Sequence, residues 1–475
     1  MELFPIDSSA ADQAMRSRVC GDQSVIEVRE ARCRVTLPPS PDSASTMASK
    51  KHKLEGPEGE GSNWSDLPQD ISESILKLLS FRDYLQFGLV CTSWRTIFAN
   101  AIASKHCLPA PQLPLLILNR SSPDSNIICP SFFDLSKKKF INPKGPIYER
   151  NHYCCGSFEG WFFMIHNLNL SSSEHSSPYI LLNPVSGDRI ALPSQSALTP
   201  HINPNYKFHF AKVVASSSPN SEDCIIVCLL QTYTHLAVCK LVNKCWTLIE
   251  AKETMVFLDI EIIGKTLYAL VDDGGGESTI FYNLEDANAP KLNMVASLEH
   301  KPERRQGTTR VVGRTEYVTD FNFTYFAGDN VSGELLMIRT LVDYASNNDD
   351  TTRIRHILFL EKFVNPPHAK EFRVWKLDKC DLQWLELHDL DGRLIYFKGS
   401  RSIVISDTSL SDPQEFVKRN CIYFVSSCHE DSLQIEIGRF CMTDKSMKRF
   451  LHSDLSAADQ AMRTRSVFWF IPNIF

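Results

Sequence analysis

Three groupings in this 475-residue chain hold residue types able to do chemistry. His152 precedes the adjacent thiols Cys154-Cys155, an imidazole near a nucleophile that it could activate. On a strand, though, residues 152 and 154 only share a face, so ordinary strand residues are the expected reading. The carboxylate pairs Asp272-Asp273 and Asp389 with Asp391 lie in apparent turns, where aspartate accepts hydrogen bonds from its own backbone. Asp349-Asp350 could hold a cation, but Asp343 to Arg355 reads as a polar loop without a regular oxygen-ligand spacing. None of the 15 cysteines forms a Cys-x-x-Cys pair, so they read as reduced, mostly buried small apolar side chains. Gly-x-Ser-x-Gly, Walker and dinucleotide motifs and His-Glu-x-x-His are missing from the sequence. The expectation is no catalytic residue, no metal and no cofactor.

Composition narrows the partners. The apolar fraction of 43% and charged fraction of 22% are those of a globular chain. A net charge of -6 supplies no basic field for a phosphate backbone, so no nucleic acid partner is expected. With no run of 18 apolar residues and an acidic start, Glu2 and Asp7, no membrane association is expected either. The expectation is a soluble protein of the cytoplasm, the nucleus or both.

Residues 1–62 mix Ser, Pro, Gly and charge without an apolar period and read as a disordered leader. Met47 offers an alternative start within it, which would make residues 1–46 an upstream extension. The basic cluster Lys50, Lys51, His52 and Lys53 could be a nuclear address, but a short charge run of this kind reads as solvated. SAADQAMR occurs at Ser9 to Arg16 and again at Ser456 to Arg463, a single copying at opposite ends rather than a solenoid period.

Between residues 63 and 104 the period becomes helical. Ile71, Ile75, Leu78 and Leu79 fall at i, i+4, i+7 and i+8, with Pro68 at the opening turn, where its missing N–H costs nothing. Asp83 can cap a second short helix through Val90, and Thr92 a third in which Trp94, Ile97, Phe98, Ala101 and Ile102 repeat. Gly88 weakens the second helix by about 1 kcal/mol. About 40 residues bury too little surface to be very stable alone, so a leftover apolar face should find a partner.

The segment NWSDLPQDISESILKLLSFRDYLQFGLVCTSWRTIF resembles an F-box, whose pattern opens with Leu-Pro, runs through spaced aliphatics and ends in Val-Cys-x-x-Trp. Leu67, Pro68, Ile71, Ile75, Leu79, Leu85, Val90, Cys91 and Trp94 match in order. The resemblance implies that these residues bind a Skp-type adaptor, and through it a cullin and a ring-finger subunit.

Residues 105–114 read as a Pro-rich linker, and from Leu115 onward short apolar or alternating runs recur between Pro, Gly, Ser, Asn and Asp clusters. Leu115 to Leu118, Trp161 to Ile165, Tyr179 to Leu182, Cys224 to Leu230, Leu236 to Leu241, Thr266 to Val271 and Ile403 to Ile405 are such runs. Many strands without helices, over residues 115–475, exceed one sandwich, and a β-propeller removes the exposed sheet edges. Asn183 to Gly187 and Asp272 to Ser278 read as turns inside blades.

The phrase LLNPVSGDRIALP is similar to one common in β-propeller F-box proteins. GSFEGWFFMI (Gly156 to Ile165), FLDIEIIGKTLYAL (Phe257 to Leu270), YFAGDNVSGELLMI (Tyr325 to Ile338), FRVWKLD (Phe372 to Asp378), WLELHDLDGRLIYF (Trp384 to Phe397), NCIYF (Asn420 to Phe424) and WFIP (Trp469 to Pro472) resemble the kelch-like domain that follows the F-box in a large plant family. Gly274-Gly275-Gly276 lacks the surroundings of a kelch repeat proper, so the blade count stays open. The fold class expected is α+β multidomain: a small all-α three-helix F-box before a large all-β domain, a β-propeller. The resemblance implies a substrate receptor of a Skp/cullin/F-box ubiquitin ligase, with an unknown protein substrate held by loops at one rim. Trp161, Trp246, Trp375 and Trp384 are expected in the blade cores. The alternative is a small-molecule-binding or enzymatic propeller whose helices are only a cap.

Overall fold

A computed structural model describes residues 64, 67–79, 83–84, 87–88, 90–104, 113–121, 127–137, 139–141, 148–149, 152–166, 179–184, 187–193, 198, 201, 210–252, 254–274, 276–285, 294–299, 309–312, 315–318, 320–343, 369–399, 401–406, 417–427, 435–450 and 463–472. The expected leader, Met47, the basic cluster, the Asp349-Asp350 pair and both SAADQAMR copies apart from Arg463 lie outside these residues.

Helix α1 (Gln69–Leu78) starts at Pro68, whose φ of -53° suits the turn before it, and carries Asp70 in its first turn and Lys77 in its last, both favourable to the helix dipole. Leu79 is extended (φ -72°, ψ 144°) and ends it. Helix α2 is Thr92–Ser104, and between the two Asp83, Tyr84 and Phe87 are helical. Leu76, Tyr84, Phe87 and Ala101 form the core of this module, with Ile75, Leu79, Trp94, Ile97 and Phe98 packed against it. Gly88 has a packing reason: a Cβ there would stand 2.8 Å from Phe98 Cδ1.

Strands follow. The first blade holds β1 (Leu115–Ser121), β2 (Ile127–Asp134) and β3 (Lys139–Ile141), with β4 (Tyr148–Glu149) also pairing β2. The second runs through β5 (His152–Phe158), β6 (Trp161–His166), β7 (Tyr179–Leu182) and β8 (Arg189–Ala191). The third is β9 (Phe210–Ala215), β10 (Ile225–Leu230), β11 (His235–Lys240) and β12 (Thr247–Glu250); the fourth is β13 (Val256–Ile263), β14 (Thr266–Asp272), β15 (Glu277–Asn283) and β16 (Met294–Glu299). A separate hairpin, β17 (Thr309–Val312) with β18 (Thr315–Val318), precedes the fifth blade of β19 (Asp320–Asp329), β20 (Glu334–Asp343), β21 (Ala369–Asp378) and β22 (Gln383–Leu387). In the sixth, β23 (Leu394–Phe397) pairs antiparallel with β24 (Ile403–Ile405) and parallel with β25 (Cys421–Ser427), which continues through β26 (Ile435–Cys441) to β27 (Met447–Phe450). Finally β28 (Arg463–Phe470) returns to pair antiparallel with β1, Leu116 opposite Trp469, so one blade is built from both ends of the domain.

Alternation explains why the strands read as continuous apolar runs. On β10 every residue is buried, yet Ile226, Cys228 and Leu230 pack toward the second blade while Ile225, Val227 and Leu229 pack toward the fourth. A blade covered on both faces has no polar face to show. Six apolar clusters fill the seams between successive blades, including one from the sixth blade to the first through Leu394, Tyr423, Leu116 and Trp469. Six seams for six blades means a closed ring. The inner strands β5, β9, β13, β19 and β24 contact one another in turn, and β28 contacts β5.

All seven runs singled out in the sequence are strands or lie largely within them. Glu277 and Ser278, read as turn, begin β15, and Asp343, read as loop, ends β20. Both shifts have one cause: ladder pairing with Asp272 and Asp320 draws polar residues into strand ends.

Candidate adaptor-docking site

Two neighbouring stripes of α1 are apolar, and the module core can take only one. Ser72 and Leu76 turn inward and are fully buried, while Ile75 and Leu79 are half-buried against the same cluster. Ile71 and Leu78, seven residues apart on the other stripe, stay outside at 46% and 84% exposure. Val90 (61%) and Trp64 (70%) add two more exposed apolar side chains. Four large apolar side chains of this module are thus exposed.

The expected site residues are therefore placed unequally. Pro68, Ile71 and Val90 are exposed; Leu67, Ile75, Leu79, Cys91 and Trp94 are half-buried, and Leu85 lies outside the described residues. Trp94 is pinned from three sides. Its ring stacks on Phe87 with centroids 4.3 Å apart, its indole N–H donates to the Trp64 carbonyl at 3.0 Å, and its backbone N–H donates to Cys91 Sγ at 3.4 Å. Trp94 therefore supports the site by fixing Cys91 and Trp64. Leu78 and Trp64 were not among the expected site residues; the i, i+7 spacing of Ile71 and Leu78 was the signal for the first.

Charge in the propeller is used between blades. Lys212 of β9 meets Asp259 Oδ1 and Glu261 Oε2 of β13, each at 3.2 Å, and donates to the Phe326 carbonyl of β19 at 3.4 Å. Asp259 Oδ2 accepts the Phe326 N–H at 2.8 Å, completing a buried link across three inner strands. Burial works against the charge on Lys212, but the two carboxylates offset it and hold the ammonium above its ordinary pKa. Burial pushes Glu261 up, a trend that Lys212 opposes. At the next seam Asp329 accepts hydrogen bonds from Ser332, Val331 and Ser406, and Arg393 reaches Glu334 at 2.6 Å. Burial alone would raise the Asp329 carboxyl; those hydrogen bonds hold it below its ordinary value. Lys398, at the end of β23, is buried, and burial together with the nearby Arg401 charge pulls its ammonium down to about 7.

Among the described candidates, the adjacent thiols and the turn carboxylates have structural surroundings. Cys154 donates to the Gly156 carbonyl at 3.2 Å, and burial pushes its thiol up and that of Cys155 to about 12, the opposite of an activated nucleophile. Asp272 accepts the Gly274 N–H and Asp389 the Asp391 N–H, both at 2.8 Å, as turn residues. Trp161 and Trp246 are buried, and Trp375 and Trp384 are half-buried against the seam between the fourth and fifth blades. Among the described residues no helix is long and apolar enough to cross a membrane.

A model described as the KIB1-4 beta-propeller matches residues 132–451, and an F-box domain model matches residues 64–102. Two F-box proteins of Arabidopsis thaliana are 22% and 23% identical over 77% and 76% of this chain, in each case 84% of their own length. An F-box/kelch-repeat protein of the same plant is 27% identical over 36% of this chain and 41% of its own. The solved structure of a periplasmic gluconolactonase from Pseudomonas aeruginosa covers 76% of this chain at 9% identity and a TM-score of 0.32.

Proposed function

The chain belongs to the KIB1-4 β-propeller family and carries an F-box ahead of the propeller, and on that premise we propose that it is the substrate-recognition subunit of a Skp/cullin/F-box ubiquitin ligase. Residues 63–104 are the docking module, 105–114 the linker, and 115–475 the target-binding domain. Its setting is the cytoplasm, the nucleus or both.

One observation carries the docking half of this reading: Ile71 and Leu78 stand exposed on α1, whereas Leu76 of the same helix supplies the module's own core. An adaptor helix laid along that stripe would cover it. Burying Leu78 fully is worth about 1.5–3 kcal/mol, and burying the remaining half of Ile71 roughly half as much. The propeller holds a protein target through loops at one rim, and the cullin and ring-finger subunit bring the charged conjugating enzyme. No residue of this chain has to react. Its contribution is effective concentration: a tethered target lysine meets the conjugating enzyme as if within one molecule.

The test is affinity purification of the intact chain beside the double variant Leu67→Ala with Pro68→Ala, with proteasome activity blocked. Adaptor and cullin should be recovered with the parent and lost with the variant, while one or more other proteins accumulate on the parent. Equal recovery of the adaptor by both chains would sink the reading.

A further inference from the structure

Blade six holds a pair of thiols that the ligase role does not use. Cys421 opens β25 and Cys441 closes β26, and the register sets them directly opposite each other. The Met442 N–H donates to the Asn420 carbonyl at 2.9 Å, whereas the Cys441 N–H turns away to the Ser446 carbonyl, also at 2.9 Å. The two cysteines are therefore a non-hydrogen-bonded pair, the closer of the two kinds in an antiparallel ladder, with Cα atoms about 4.5 Å apart. That separation lies within the roughly 4.4–6.8 Å that a disulfide spans. Their side chains share a face, and both belong to the seam between blades six and one. Cys421 is buried, while Cys441 is half-buried with its Sγ 3.1 Å from Thr443 Oγ1. In no other described ladder does a cysteine stand opposite a cysteine.

We propose that Cys421 and Cys441 are a redox site: a dithiol that closes into a cross-strand disulfide when the protein meets a small disulfide oxidant such as oxidised glutathione. The Cys441 thiolate attacks one sulfur of the oxidant, whose S–S bond breaks and releases one glutathione thiolate. Cys421 then loses its proton and attacks the Cys441 sulfur of the mixed disulfide, releasing the second. Two protein thiols are oxidised and one oxidant disulfide is reduced to two thiols. The order follows from access, since burial first and Cys441 second push the Cys421 thiol up to about 12, which leaves the opening attack to Cys441. Closure would pin the corner at Asn420 (φ 58°), whose N–H donates to the Arg393 carbonyl at 3.1 Å and whose Oδ1 accepts the Gly392 N–H at 2.6 Å. The site belongs to blade six, not to the helical module, and does not depend on the ligase reading.

The test is non-reducing peptide mapping of the full-length chain after equilibration with oxidised and reduced glutathione in graded ratios. Trypsin separates residues 420–439, carrying Cys421 and Cys428, from residues 440–445, carrying Cys441, and fragmentation assigns the bond. The expected product is a joined peptide about 2 Da below the sum of its parts, cleaved again by excess reduced glutathione. Cys441→Ser should abolish it, and Cys421→Ser should instead leave a lasting glutathione adduct on Cys441, for want of a resolving thiol. The proposal is overturned if the parent chain keeps that adduct without joining, if Cys428 takes the bond instead, or if joining needs prior denaturation.

Discussion

The rings of Phe87 and Trp94 lie 4.3 Å apart and within 14° of parallel, joining the short helical turn before Gly88 to helix α2. Trp94 is thus packed into the cluster of the F-box helices, whereas Ile71 and Leu78 lie outside that cluster and are exposed. Two kinds of variant should then behave differently.

Ile71→Ala with Leu78→Ala should weaken adaptor binding by about tenfold or more while leaving the melting temperature of the chain unchanged, as expected for exposed interface anchors. Trp94→Ala should destabilise the module by removing the ring stacked on Phe87 and lose binding through unfolding. Biolayer binding to purified adaptor, read beside a thermal melt, distinguishes the two; a drop in melting temperature for the Ile71 and Leu78 pair would show that the stripe is core.

Asp259 is the hinge of the buried link between blades three, four and five. Replacing it by Ala leaves the Phe326 N–H without its acceptor and Lys212 with one carboxylate in place of two. Breaking a buried ion pair from one side costs about 3–5 kcal/mol. Urea unfolding should show that loss, and Lys212→Met alone should cost a comparable amount, because Asp259 and Glu261 then lose the ammonium between them.

Lys398 gives a pH dependence whose sign is fixed. The unfolded chain takes up a proton on this lysine below about 10.4, but the folded chain refuses it until about 7. Between those values the unfolded state binds more protons, so this group makes stability rise with pH from 7 toward 10 and adds no further slope below 7. Lys398→Met keeps the stem without the charge. It should be more stable than the parent at pH 7 by about 1 kcal/mol or more, with the difference shrinking by pH 9.5. Urea midpoints of both chains at the two pH values measure it; a constant difference would mean that Lys398 does not titrate in this range.

Trp469 holds the ring shut. It is buried, donates its indole N–H to the Phe397 carbonyl at 3.2 Å, and meets the Tyr396 ring edge-on at 4.9 Å. Trp469→Ala should cost about 3–5 kcal/mol. Ending the chain before β28 should do more, since it bares the unpaired edge of β1; light scattering should show aggregation of the shortened chain but not of the point variant.

Much of this architecture is written locally. Runs such as IIVCLL on β10 announce buried strands by themselves, and the helical module is legible because its pattern is compressed into about 40 residues. What escaped was set by partners distant in sequence. The inward turn of Ser72 and Leu76 depends on Tyr84, Phe87 and Ala101, which decide which of two apolar stripes of α1 becomes core. Lys212, Asp259 and Phe326 meet only because three inner strands stand side by side, and no spacing in the chain encodes that. The pairing of Cys421 with Cys441 is likewise a matter of register, and the blade count became readable only from the seams.

The order in which the parts are made matters because β28, the strand that completes the first blade, is translated after every other described strand. At about 5–20 residues per second, β1 waits roughly 20–70 s for its neighbour, long after the docking helices have left the ribosome. A nascent or prematurely terminated chain would therefore display the F-box helices with an unfinished first blade behind them. Under the docking role proposed above, such fragments would occupy adaptor molecules without presenting a target.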